Sequence, residues 1–290
     1  MIDITQRRNL FRLGGAGLAL AAAGAALDPS RAAAQATSTS LLRTVLDRGK
    51  LIVGTGSTNP PWHFEDDKGQ LTGMDIAMAR ILAKGLFDDE KKVEYVQQDP
   101  NARIPNITSG KVDIVIQFMT VSPARAQLVA FSRPYYVEGA ALLTAPKSKW
   151  QNYKDLLAAG KAVRASVLQN VGADDLVHQA LPDAQSMQLD TQANAMQAVI
   201  SGRADVAVVD ASTVRWLVKH NPGDYTDPGY AYEAQLYSAA MRQGDPDWLQ
   251  WVDTCFNVAM HGNEPEIYTA AFEEFFGDKP PVQKPGFPPI

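Results

Sequence analysis

A single cysteine, Cys255, in 290 residues leaves this chain no internal disulfide to form. It falls in the apolar spacing Trp248, Trp251, Val252, Cys255, Phe256 and Met260, which predicts a buried helix position. Histidine is also scarce. His63, His178, His220 and His261 stand apart with no two at ligand spacing, so no metal site is expected. No Gly-rich phosphate loop occurs outside the Gly14-Gly15-Ala16-Gly17 run of the N-terminal segment, and no serine sits in a nucleophile-elbow sequence. No cofactor is implied. Basic surplus is missing as well: 27 Lys+Arg against 32 Asp+Glu give a net charge of −5. An acidic chain without a basic run argues against nucleic acid or an anionic membrane as partner. The longest apolar stretch, Leu13 to Leu27, is rich in Ala and Gly and shorter than the ~20 residues a membrane span needs.

That stretch belongs to a recognisable N-terminal series. Arg7-Arg8, Leu10-Phe11, the apolar run and Ala32-Ala33-Ala34 form the basic, apolar and small-residue parts of an export signal, with cleavage expected after Ala34. Adjacent arginines with Thr5 upstream fit the twin-arginine route; an ordinary secretory signal with two basic residues is the alternative. No cysteine lies near the cleavage point, so no lipid anchor is expected. Residues 1–34 carry four arginines and two aspartates, so the mature chain has 23 basic against 30 acidic residues, a charge of −7.

The remainder alternates between strand and helix patterns. Leu41 to Asp47 reads as a short amphipathic helix, Lys50 to Gly54 as a strand, Met74 to Leu86 as a helix and Val93 to Val96 as a strand. Ile104 to Ser109, closed by Gly110, is a helix, and Asp113 to Ile116 (DIVI) is a buried strand. Further on, Ala140 to Thr144, Lys161 to Val167, Asp205 to Val209 and Tyr237 to Met241 read as strands. Helices are predicted over Tyr153–Leu157, Asp174–Leu181, Thr191–Ser201, Ala211–Lys219, Asp245–Met260 and Pro265–Phe276. This alternation implies α/β lobes, each a parallel or mixed sheet flanked by helices.

The segment from Asn101 to Tyr136 places Arg103 and Arg125 on either side of the DIVI strand, whose carboxyl end delivers Gln117, Phe118, Met119, Thr120 and Ser122. Ligands of open α/β sheets sit outside the carboxyl ends of the strands. A guanidinium there suits a carboxylate, because its planar fork donates two parallel charged hydrogen bonds. The phrase SGKVDIVIQ (Ser109 to Gln117) is echoed by SGRADVAVVD (Ser201 to Asp210), and the second strand delivers Asp210. A cation at one strand end and an anion at the other make a complementary pair for a zwitterion.

Several phrases in this order resemble the bacterial periplasmic polar-amino-acid-binding proteins, the solute-binding subunits of ABC amino-acid importers (solute-binding protein family 3). They are GKLIVGT (Gly49 to Thr55), Pro60-Pro61-Trp62, GQLTGMDIAMARILA (Gly69 to Ala83) and ARIPNITSGKVD (Ala102 to Asp113). SPAR (Ser122 to Arg125), FSRPYY (Phe131 to Tyr136) and GRADVAVVD (Gly202 to Asp210) complete the set, so the resemblance spans roughly Leu41 to Phe276. It implies a periplasmic-binding-protein fold with two lobes: 35–143 plus 240–290 as lobe 1, completed by the C-terminal helices, and 144–239 as lobe 2. The crossovers are expected near Leu143–Lys147 and Ala234–Ala240. A monomer is expected, with a small amino acid as ligand, a membrane permease as partner and hinge closure over the ligand.

By the same resemblance Arg125 grips the α-carboxylate, Thr120 adds a hydroxyl, Met119 a backbone contact, and Asp210 receives the α-ammonium. Arg103 matches an arginine that reaches the side-chain carboxylate in glutamate- and aspartate-binding relatives, or else it caps the cleft or pairs with a surface acid. Gly56 stands where binders of basic amino acids carry an acid, which argues against such ligands. Asn59 stands where an aromatic often stacks, while Gln117 and Phe118 replace small or hydroxyl residues. Asn170, in Gln169-Asn170-Val171-Gly172-Ala173, lies where the usual hydroxyl-bearing turn is absent. Trp62 either stacks on the ligand or covers core. Two alternatives share the scaffold, a cyclohexadienyl (or arogenate) dehydratase and a ligand-presenting sensory protein. The dehydratases use a glutamate three residues after the Asp210 position, where this chain has Thr213.

Overall fold

The structure, a computed structural model, describes residues 40–170, 172–262, 264–277 and 279–280. The export signal read over residues 1–34 lies outside these. In chain order, α1 (Leu41–Arg48) leads into β1 (Leu51–Thr55). Three short strands follow: β2 (Thr58–Asn59), β3 (His63–Glu65) and β4 (Leu71–Thr72). Next come α2 (Met74–Phe87), β5 (Val93–Gln97), α3 (Arg103–Thr108), β6 (Ile114–Val115), α4 (Pro123–Ala126), β7 (Ala130–Phe131) and β8 (Tyr136–Leu143). The middle of the chain forms α5 (Tyr153–Ala159), β9 (Arg164–Leu168), α6 (Ala173–Ala180), β10 (Gln185–Leu189), α7 (Gln192–Ile200), β11 (Val206–Asp210) and α8 (Ala211–His220). Then β12 (Ala231–Tyr237), β13 (Ala240–Met241), α9 (Pro246–His261) and α10 (Glu266–Phe276) close the described chain.

These strands build two five-stranded mixed sheets of the same design. In the first, ordered β5-β1-β6-β13-β7, β1 is parallel to β5 and β6 while β13 runs antiparallel to β6 and β7. In the second, ordered β10-β9-β11-β8-β12, β9 is parallel to β10 and β11 while β8 runs antiparallel to β11 and β12. Each sheet is the centre of one lobe of a periplasmic-binding-protein fold. The strands β2, β3 and β4 form a small antiparallel sheet of their own.

The first crossover differs from the expectation at Leu143–Lys147. Because β8 pairs with β11 from Ala140 to Leu143 and with β12 from Tyr136 onward, residues 136–143 belong to lobe 2. The chain therefore changes lobe between β7 and β8. Glu138 and Gly139 interrupt the apolar run and hide the strand's true start; Glu138 is nonetheless buried, accepting hydrogen bonds from Gly139 N, Ser212 N and Ser212 Oγ. The return crossover is Ser238–Ala239, so the stretch read as one strand from Tyr237 to Met241 is a strand end in one lobe and a strand start in the other.

Packing follows from the amphipathic patterns. In lobe 1, Met74, Met78 and Leu82 of α2 meet Val252 and Phe256 of α9 and Tyr268, Ala271 and Phe275 of α10, so the C-terminal helices return to the first lobe. Two clusters cover the faces of the lobe-2 sheet, one around Leu142, Val167 and Val206 and one around Leu143, Ala207 and Val209. Each fully buried Leu or Val side chain is worth about 1.5–3 kcal/mol relative to exposure. Cys255 is half-buried on α9, and burial pushes its thiol up to about 12. No helix of the described residues is long and apolar enough to cross a membrane.

Candidate functional site

The carboxyl ends of β6 and β11 open onto a cleft of about 450 Å³, counting its solvent-exposed mouth, between the two sheets. Arg103, Phe118, Thr120 and Arg125 line it from lobe 1; Asn170, Gln192 and Asp210 line it from lobe 2.

Arg125 lies in α4, a single turn started by Pro123 and capped by the Ser122 hydroxyl, which accepts from Arg125 N at 3.3 Å. Its guanidinium donates to Thr120 O at 2.8 Å and, across the cleft, to Asn170 Oδ1 at 2.9 Å. Arg103 opens α3 and is 4 % exposed. It donates to Pro100 O at 2.8 Å and Gln117 O at 3.1 Å, with Cζ 5.4 Å from the Phe118 ring centroid. Burial, and then repulsion from Arg125, lower the Arg103 pKa to about 9; burial also lowers that of Arg125. Among the described residues neither arginine forms a salt bridge. Two desolvated cations are thus held by neutral oxygens alone, an arrangement that favours an arriving anion.

Asp210 ends β11 and sits at the N-cap of α8. It accepts from Tyr237 Oη at 2.5 Å and from Gln192 Nε2 at 3.2 Å. Burial raises its pKa to about 6 against those hydrogen bonds. Among the described residues it has no cationic partner within salt-bridge distance. A buried carboxylate in that state favours a cation. The same Gln192 amide donates to Asn59 Oδ1 at 2.8 Å, tying lobe 2 to lobe 1 beside the site.

Six of the ten residues picked from sequence come together here: Arg103, Phe118, Thr120, Arg125, Asn170 and Asp210. Four do not line the cleft. Met119 is buried against Ile107, Val112 and Val129, and its carbonyl accepts from Ser238 N at the crossover. Gln117 is locked to Gln98 through Gln98 Nε2 to Oε1 and Nε2 to Gln98 O, both 3.0 Å. Asn59 Oδ1 accepts from Gln192, while its buried Nδ2 finds no hydrogen-bond partner among the described residues. Trp62 is fully buried, edge-on to Tyr136 at 4.9 Å and Tyr237 at 5.1 Å, and donates to Ser212 Oγ at 3.0 Å. Of its two readings, core cover is the one observed, and the core it covers adjoins both crossovers.

Sequence reasoning missed Gln192, Gln235 and Tyr237. Gln235 accepts from Thr120 Oγ1 at 3.0 Å and lies on β12, an exposed edge strand without an apolar run to announce it. For Gln192 a signal existed: Thr191 caps α7, which puts Gln192 in the first turn at the end nearest the cleft.

No group of three or more His, Cys, Asp or Glu among the described residues is arranged to hold a metal. The site is a set of opposed charges and amide dipoles suited to holding a small zwitterion.

Residues 51–277 match the model of the bacterial extracellular solute-binding proteins, family 3. The chain belongs to that family. Among its relatives are the glutamine-binding protein of Geobacillus stearothermophilus, 28% identical over 67% of this chain and 74% of the relative, and the L-cystine-binding protein TcyJ of Escherichia coli K12, 29% identical over 73% and 78%. Among solved structures, the ancestral amino acid-binding protein AncCDT-1, described as a precursor of cyclohexadienyl dehydratase, is 32% identical with a TM-score of 0.70, covering 82% of this chain and 100% of its own. An ancestral arginine-binding protein bound to glutamine is 28% identical with a TM-score of 0.68, over 80% and 99%.

Proposed function

We propose that this family 3 protein binds a free α-amino acid between its lobes and delivers it to an ABC-type membrane importer. The observation that carries this reading is the opposition of charges: the buried Arg103 and half-buried Arg125, with no acid beside them, on one lobe face a buried Asp210 without a cation on the other. The relatives bind glutamine and cystine by name, and the solved neighbours include amino-acid binders, which supports the ligand class. In this reading Arg125 receives the α-carboxylate with Thr120 and Asn170 beside it, and Asp210 receives the α-ammonium. Each charged hydrogen bond is worth about 1.5–3 kcal/mol net, so the frame supplies a large part of the ~8 kcal/mol of micromolar binding. The protein works as an exported monomer in the periplasm.

The dehydratase reading has one observation in its favour, the neighbour described as a precursor of such an enzyme. Against it, the position where the dehydratases carry a glutamate holds Thr213, whose hydroxyl donates to Pro60 O at 3.1 Å. A binding protein fits the site better.

A thermal-shift screen of the chain, unfolded and refolded to strip carried ligand, tests the proposal. The common amino acids, dicarboxylates, opines and small peptides are the probes. A ligand at ~100–1,000 times Kd adds about 2.7–4.1 kcal/mol, which is roughly 5–16 °C for a chain of this size. No shift with any α-amino acid would overturn the ligand class.

A further inference from the structure

One buried carboxylate has no part in the binding frame. Asp75, in the first turn of α2, is fully buried and outside the cleft lining, yet its two oxygens accept three hydrogen bonds. Tyr135 Oη donates to Oδ1 at 2.7 Å; His63 Nδ1 and the backbone N–H of Phe118 meet Oδ2 at 2.8 and 2.9 Å.

The Phe118 contact matters most, because Phe118 has a φ of +35°, in the left-handed region that residues with a Cβ avoid. Such a conformer persists only where its surroundings hold it, and Asp75 supplies the hold. The ring of Phe118 then stacks on His63 with centroids 4.7 Å apart and planes at 18°, and lies under the Arg103 guanidinium. Gly56 leaves room for that stack: a Cβ there would come within 2.6 Å of His63 Cδ2. The glycine that sequence comparison read as a missing ligand acid therefore has a steric reason.

We propose that Asp75 is the positioning residue of the first lobe's half of the cleft. It fixes the left-handed bend at Phe118, and through the His63–Phe118–Arg103 stack it sets where the Arg103 guanidinium points, without touching the ligand. The importance of that placement for binding rests on the amino-acid reading above; the placement itself does not.

Phenylglyoxal modification of the ligand-free full chain, read arginine by arginine with peptide mass spectrometry, tests this directly. In the wild type Arg103 reacts at least tenfold more slowly than the exposed Arg203. In Asp75→Asn, Arg103 reacts at least tenfold faster than in the wild type, while Arg125, held by Thr120 O and Asn170, changes by less than twofold. Equal acceleration at Arg103 and Arg125 would mean general loosening and overturn the proposal, as would an unchanged Arg103 rate. Gly56→Ala disturbs the same stack from the His63 side and carries the test if Asp75→Asn does not fold. Arg103 accelerates there too, and an unchanged rate counts against the stack. This readout needs no ligand, so a failure of the amino-acid reading leaves it decisive. For any amino acid that stabilises the wild type, Asp75→Asn weakens binding at least tenfold.

Discussion

The two lobes use one joint for opposite ends. In lobe 1, Asp113 precedes β6 and clamps β1 through its N–H to Ile52 O at 2.9 Å and its Oδ2 from Ile52 N at 2.7 Å. In lobe 2, Asp205 precedes β11 and clamps β9 the same way, N–H to Arg164 O at 2.8 Å and Oδ2 from Arg164 N at 2.9 Å. A glycine with positive φ, Gly110 or Gly202, ends the helix before each joint. The strands then deliver different chemistry. Lobe 1 presents main-chain carbonyls, Gln117 O and Thr120 O, which hold two arginines; lobe 2 presents the Asp210 carboxylate itself. The scaffold is repeated and the charge is not. Under the proposed function, a ligand that satisfies both lobes carries both signs.

The comparison breaks most severely at Arg125. Arg125→Ala removes the charge that bridges Thr120 O to Asn170 and the donors proposed for the ligand carboxylate. Two charged hydrogen bonds at about 1.5–3 kcal/mol each give an expected loss of roughly 10²–10⁴-fold in affinity. Calorimetry on the variant should find no measurable binding of the amino acid that the wild type binds, with a thermal midpoint within a few degrees of the wild type. Retained affinity would place the carboxylate elsewhere.

The lobe-2 counterpart has a smaller effect and a pH signature. Asp210 has a folded-state pKa raised to about 6, chiefly by burial. Below that value the free protein holds a proton on the group that must be anionic to receive an ammonium. Affinity should therefore fall, by up to tenfold per pH unit, as pH drops through the raised Asp210 pKa, because binding must expel the proton. Asp210→Asn should weaken α-amino-acid binding by roughly 10–100-fold at neutral pH and abolish that slope. A variant that keeps the slope would assign it to another group.

Much of this was legible in the sequence, for identifiable reasons. Long apolar helices such as α2 and α9, and buried β-branched strands such as β1 and β11, declare themselves in the sequence. The two- and three-residue strands β2, β3 and β4 have too few residues to show a period. The edge strand β12 lacks an apolar run, and near the start of β8 the Glu138 carboxylate is met by Gly139 N and by Ser212 from another element. In the cleft, Arg125 and Asp210 stood out because a charge at the end of a buried strand needs a reason. Trp62 and Met119 could not be sorted the same way, since an apolar side chain looks alike in a pocket and in a core. Gln192 and Gln235 reach the cleft from segments that only the crossovers bring near.

The finest test sets the two joints against each other. Although Asp113 and Asp205 make the same backbone clamp, their carboxyl groups are displaced in opposite directions. Burial raises the Asp113 pKa despite the Ile52 N–H and Arg48. At Asp205 burial is outweighed by the hydrogen bonds from Arg164, whose Nε and Nη2 lie 2.9 and 3.0 Å from the carboxylate oxygens, and the pKa is lowered. A lowered folded-state pKa contributes stability that is present above the unfolded value and lost as pH falls; a raised one contributes in the opposite sense. Asp205→Asn should therefore cost about 1–2 kcal/mol at pH 7, discounted for its partial exposure, and progressively less as pH falls below 4. Asp113→Asn should cost less than its counterpart at pH 7, because burial of its carboxylate is only partly offset by Ile52 N–H and Arg48 there. Urea unfolding of both variants at pH 7 and near pH 3 separates them. Equal losses at both pH values would mean that the clamp, and not the charge behind it, sets the strength of each joint.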